Sequence, residues 1–106
     1  MNFNEYQKLA RSTAVYPEEH KVVYPALGLC GEAGEVADKI KKTIRGDSSL
    51  VEVTGNIADE LGDVLWYLTA IASDIGYELE EIAELNLEKL EDRMDRNVIR
   101  GSGDNR

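Results

Sequence analysis

Three stretches of this chain carry apolar residues at helical period, and two of them carry a pair of acidic residues spaced three apart. From about Pro25 to Ile44, residues Leu29, Cys30, Ala33, Val36, Ala37, Ile40 and Ile44 fall on one arc at roughly 100° per residue. From about Asn56 to Ile75 the arc is Ile57, Leu61, Val64, Leu65, Leu68, Ile71, Ala72 and Ile75. From about Leu79 to Arg96 it is Leu79, Ile82, Ala83, Leu90 and Met94. A shorter stripe of Tyr6, Leu9, Ala10 and Thr13 predicts a helix within residues 1–16, capped by Asn4 with Gln7 as its reciprocal partner and ended at Tyr16-Pro17. Pro25 suits a first helical turn, and Arg45-Gly46-Asp47 and Gly76 are stop signals. Residues 48–56 read either as a short extended piece or as an irregular helix start.

The expected fold is therefore all-α: a four-helix bundle-like domain over residues 1–100, followed by the polar tail Gly101-Ser-Gly-Asp-Asn-Arg106, either disordered or a binding loop. With 106 residues there is room for one domain that would gain stability from oligomerisation. No apolar run is long enough to span a bilayer and no leader pattern occurs, so no membrane partner is expected. Cys30 is alone, on the apolar arc, which excludes a disulfide framework within the chain and fits a reduced, cytoplasmic setting. A net charge of −9 without a basic stripe argues against nucleic acid as a partner. An acidic protein that handles phosphates needs a divalent cation as the bridge.

The acidic pairs are Glu32-Ala-Gly-Glu35 and Glu60-Leu-Gly-Asp63, each beside its helix's apolar arc. Residues at i and i+3 share a helix face, so two carboxylate pairs meet at one rim if the helices pack antiparallel. Four converging carboxylates raise one another's pKa unless a cation intervenes, and oxygen-only ligands suit Mg²⁺ or Mn²⁺. The competing reading is a pair of solvated helix faces, with Lys39 at i+4 from Glu35 as a local ion-pair partner. A di-iron bundle and a zinc site both fail for lack of ligands, since His20 is the single histidine and sits in a predicted loop. Asn86 and Arg93 fall near the centre of the fourth arc, with Lys89 at its border, and a polar group there needs partners. Gly31 and Gly34 read as sites of close approach by a backbone or ligand. Trp66 is predicted to point away from the core, exposed, as at a subunit interface.

The run Gly28-Leu-Cys-Gly-Glu32-Ala-Gly-Glu35-Val36, with 24 residues between Glu35 and Glu60, then Glu60-Leu-Gly-Asp63-Val-Leu-Trp66-Tyr67, resembles the MazG-type nucleotide pyrophosphohydrolase pattern. Asn86-Leu-Glu-Lys89-Leu and the C-terminal tail look like those of short single-domain members, so the resemblance spans nearly the whole chain. It implies an all-α fold and Mg²⁺-dependent hydrolysis of nucleoside triphosphates to monophosphate and pyrophosphate. It also implies homodimers or homotetramers whose subunits complete one another's sites. Carried onto this chain, Glu32, Glu35, Glu60 and Asp63 would hold the metal, one glutamate also activating water. Asn86 and Lys89 would contact the triphosphate and Tyr67 the base or sugar, with Lys39 a weaker phosphate contact. Two alternatives stay open: a related enzyme acting on dUTP or phosphoribosyl-ATP, and a helical oligomerisation module without activity.

Overall fold

The computed structural model describes residues 1–106 and is all-helical: α1 (Phe3–Arg11), α2 (Val23–Arg45), α3 (Leu50–Asp74) and α4 (Leu79–Asp95), with a single 3₁₀ turn at Glu18–His20. No helix is long and apolar enough to cross a membrane.

The first helix begins two residues earlier than its sequence suggests. Asn2, not Asn4, is the cap, its side chain accepting from the Glu5 amide at 2.9 Å while its amide donates to the Glu5 carboxylate at 3.0 Å. Both spacings satisfy a capping pattern, and both leave Glu5 in the first turn, where the helix dipole favours it. Asn4 and Gln7 are thereby free to tie helices together. Asn4 donates to Glu80 of α4, and Gln7 donates to Ser73 Oγ and the Tyr77 carbonyl while accepting from the Leu79 amide at 2.7 Å. The helix also stops at Arg11, before Tyr16-Pro17, because the Ser12 and Thr13 hydroxyls donate to the Leu9 and Ala10 carbonyls and close its last turn.

The segment from Ser12 to Val22 is anchored on one buried carboxylate. Asp74, its side chain fully shielded from solvent, accepts from Tyr16 Oη at 2.6 Å, Arg11 Nη1 at 2.9 Å and the Val22 amide at 3.0 Å. The last of these helps hold Val22 at φ +66° and ψ −53°, a positive-φ conformation costly for a β-branched residue, immediately before α2 begins. At the other end of α2, Gly46 at φ +94° reverses the chain, with the Asp47 amide donating to the Lys42 carbonyl. Ser49 and Glu52 form a capping box, so α3 starts at Leu50 and the ambiguous stretch 48–56 is mostly helix.

The short connection makes α2 and α3 an antiparallel hairpin, and theirs is the most extensive helix pair. α1 packs across α3 and α4, and α4 leaves the C-terminal end of α3. Buried apolar residues are few and small: Ala70, Ala72, Pro25 and Leu79. Members of each predicted arc stay open, including Cys30, Ile44 (83% exposed), Leu61 (53%) and Met94 (65%), and so do Leu27 (70%) and Leu87 (65%), which lie off the arcs.

The tail is neither free nor extended. Lys89 and the buried Arg93 both bond the Asp104 carboxylate, at 2.8 and 3.0 Å, and Arg106 donates back to the Val98 carbonyl. Arg93 thus finds the partners its central place on the arc demands, and it finds them in the tail. Asn86, expected inside the buried face, is exposed, since α4 packs only sparingly on α1 and α3.

Candidate active site

Glu32 on α2 and Glu60 and Asp63 on α3 face each other across the hairpin, with one carboxylate oxygen from each lying within 4.8 Å of the other two. The i, i+3 spacing of Glu60 and Asp63 brings both onto the α2-facing side of α3. Glu32 is pushed up to about 7, first by a hydrogen bond with Glu60, then by burial and by the charges of Glu60, Asp63 and Glu35. Glu60 is held below the usual carboxylate range, first by that same bond and also by Lys39. Of the two, Glu32 is the one that favours the protonated form and Glu60 the ionised one. Lys39 Nζ lies 3.4 Å from Glu60 Oε1 and is only 23% exposed, so its partner is across the hairpin and not, as local spacing suggests, Glu35. Glu35 is exposed and remains outside the converging group, although its charge reaches Glu32.

The donor set decides which cation would fit. Three carboxylates, with no nitrogen or sulfur ligand among them, suit a hard divalent ion such as Mg²⁺ or Mn²⁺. A raised Glu32 marks excess negative charge at the point where such an ion would relieve it.

Tyr67, one turn beyond Asp63, lies flat against the α2 backbone at Gly28. A Cβ at Gly28 would come within 2.2 Å of the Tyr67 ring, whereas Gly31 and Gly34 have nothing within 4 Å. Close approach in α2 is therefore the work of Gly28, one turn before Glu32, and not of the two glycines inside the acidic motif. Burial raises the Tyr67 hydroxyl above its ordinary value, as do Tyr24, Glu32 and Asp63. Tyr6 of α1 is raised in the same sense by burial and by Asp63, so α1 also borders the group.

Beside these carboxylates is a cavity of about 340 Å³ lined by Thr13, Glu32, Asp63, Trp66 and Tyr67. Trp66 is not the outward-facing residue its position suggests. It is half-buried, its indole N–H donates to Thr13 Oγ1 at 2.8 Å, and its ring meets Tyr67 edge-on at 5.1 Å. The segment after α1 folds over what would otherwise be the open side of α3. Thr13 and Trp66 thus join the site without having been singled out for it. The available signal was spacing, since Trp66 and Tyr67 are i+3 and i+4 from Asp63. Asn86 and Lys89 do not line this cavity. His20 is exposed, near Glu19.

The model of the MazG nucleotide pyrophosphohydrolase domain matches residues 24–98, which include both acidic pairs and Asn86 and Lys89. The chain belongs to this MazG family. It is also 40% identical over 114 residues to the Gene 37 protein of Mycobacterium phage L5, the match covering 100% of both chains. No solved structure matches it significantly. The MazG match begins at Tyr24, so the α1 and Thr13 side of the cavity lies outside it.

Proposed function

We propose that this MazG domain hydrolyses nucleoside triphosphates, with Mg²⁺ bound, to the monophosphate and pyrophosphate, as a housekeeper of the nucleotide pool. The observation that carries the reading is the convergence of Glu32, Glu60 and Asp63 within 4.8 Å in a chain of the MazG family. Those three would hold the ion. When bound, it supplies neutralisation of the triphosphate and stabilisation of charge developing at the α-phosphorus.

The chain's own residues do the rest. Lys39, its ammonium 3.4 Å from Glu60, balances that carboxylate until a cation takes its place. Glu35, outside the group but one turn along α2 from Glu32, is assigned to the attacking water, which it orients and deprotonates. Tyr67, fixed over Gly28, faces the sugar or base. Lys89 and Asn86 are assigned to the triphosphate of a neighbouring subunit's site, because in the single chain they stand apart from the cavity. A homodimer or homotetramer is supported by the open apolar faces of α2, α3 and α4, where Leu27, Leu61 and Leu87 are each more than half exposed.

The test is a nucleotide panel with and without Mg²⁺ on wild type, Glu60→Gln and Glu35→Gln. Glu60→Gln should abolish turnover through lost metal affinity, and Glu35→Gln should lower kcat with metal affinity retained. Release of orthophosphate as first product, or turnover indifferent to Mg²⁺, would overturn the assignment.

A further inference from the structure

We propose that Trp66 is the surface on which the substrate's nucleobase stacks and that Thr13 is the positioning residue that aims it. The proposal rests on the nucleoside triphosphate reading above and assigns the part of the ligand that the carboxylates do not hold.

The indole is fixed on several sides. Its N–H is taken by Thr13 Oγ1 at 2.8 Å, and the Thr13 hydroxyl proton is itself given to the Ala10 carbonyl at 2.8 Å. That hydroxyl is therefore locked to the end of α1 and cannot swing away without losing two bonds. Tyr67 abuts the indole at 89° between ring planes, and is in turn wedged against Gly28. On another side the indole borders a void too small for water, shared with Ala10, Ala14 and Ala70. What stays open is the cavity of about 340 Å³, shared with Glu32 and Asp63. Its lining thus joins immobilised aromatic rings to the carboxylates that would hold a cation. A ligand that fits both has a planar ring at one end and a metal-bound polyanion at the other. An inorganic polyphosphate would use only the second. A rigid indole beside the cavity offers stacking at little entropic cost, and base stacking is tolerant of which base is present.

Trp66 is the sole tryptophan, so fluorescence excited at the red edge, beyond the absorption of the five tyrosines, reports on it alone. Mg²⁺ with a nucleoside triphosphate should quench or shift that emission with a midpoint near KM. Mg²⁺ with inorganic tripolyphosphate should compete for the site and leave the emission unchanged. Trp66→Ala should raise KM for nucleoside triphosphates about tenfold, Thr13→Val should raise it less, and neither should alter inhibition by tripolyphosphate. Trp66→Phe, which keeps a stacking face, should retain most of the nucleotide affinity. The proposal is overturned if emission stays unchanged while the nucleotide is being turned over. It is equally overturned if Thr13→Val and Trp66→Ala weaken tripolyphosphate as much as nucleotide, the mark of a purely structural role. Failure of the activity itself reads differently: no nucleotide is hydrolysed, whatever the indole does.

Discussion

Gly28→Ala should destabilise the protein, although alanine is the better helix former. The added Cβ would stand 2.2, 2.4 and 2.5 Å from three atoms of the Tyr67 ring, where ordinary contact begins at 3.4 Å. The ring must withdraw by about 1.2 Å, and Trp66 stands at its edge. Overpacking of this kind costs roughly 1–3 kcal/mol. Helix propensity returns about 1 kcal/mol, leaving a net loss of up to about 2 kcal/mol. At roughly 4–8 °C per kcal/mol for a domain of this size, Tm should fall by up to about 15 °C. Catalytic efficiency should fall about tenfold or more, because Tyr67 borders Glu32 and Asp63 and small displacements there are expensive. Gly31→Ala is the control: with open space around it, it should raise Tm by a few degrees. In a Tyr67→Ala background Gly28→Ala should also become stabilising. Thermal unfolding of the four variants decides the matter. A rise in Tm for Gly28→Ala in the native background, or an identical shift in both backgrounds, would refute the packing argument.

Three further residues carry testable outcomes. Glu32 keeps its proton up to about 7, so Mn²⁺ affinity measured by calorimetry should weaken as pH is lowered from 8 to 6. For stability the sign is reversed: the group's contribution is complete below its ordinary value of 4.5 and is lost as pH rises through about 7, so metal-free protein should melt lower at pH 8 than at pH 6, with Mn²⁺ restoring it. Asp74→Ala strands Tyr16, Arg11 and the Val22 amide together, and should cost about 3 kcal/mol or more in chemical denaturation. Burial pushes the Asp74 carboxyl up, but the bonds from Tyr16, Val22 and Arg11 outweigh it and hold it low, so that stability is present above the ordinary carboxylate range and lost on acidification below it. Lys39→Met removes the ammonium that competes for Glu60, and should tighten Mn²⁺ binding without nucleotide by up to about fivefold.

Helical period carried most of the architecture. The ranges of α2 and α4 agree with their apolar arcs to within about two residues, because long amphipathic patterns are hard to mistake. What misled was local chemistry with two valid solutions. Asn2 and Asn4 each begin a capping pattern, and only the packing of Gln7 against Ser73 and Leu79 distinguishes them. Lys39 has one acidic neighbour on its own helix and another across the hairpin, and only the fold says which it reaches. Glu32, Glu60 and Asp63 were legible from spacing and converge as expected, whereas Glu35 remains outside the group. Thr13 and Trp66 were not legible as a pair, since their bond depends on the path of the segment pinned by Asp74. Arg93 was recognised as needing partners, but those lie in the tail, too far along the chain for helical spacing to supply them.

The Glu32–Glu60–Asp63 group is proposed to serve cleavage between the α- and β-phosphates. Phosphorus NMR of a nucleoside triphosphate incubated with the protein and Mg²⁺ tests it most directly. The three substrate resonances should be replaced by those of monophosphate and pyrophosphate in equal amounts, and this should stop with EDTA or with Glu60→Gln. Diphosphate plus orthophosphate, or undiminished turnover in Glu60→Gln, would contradict it.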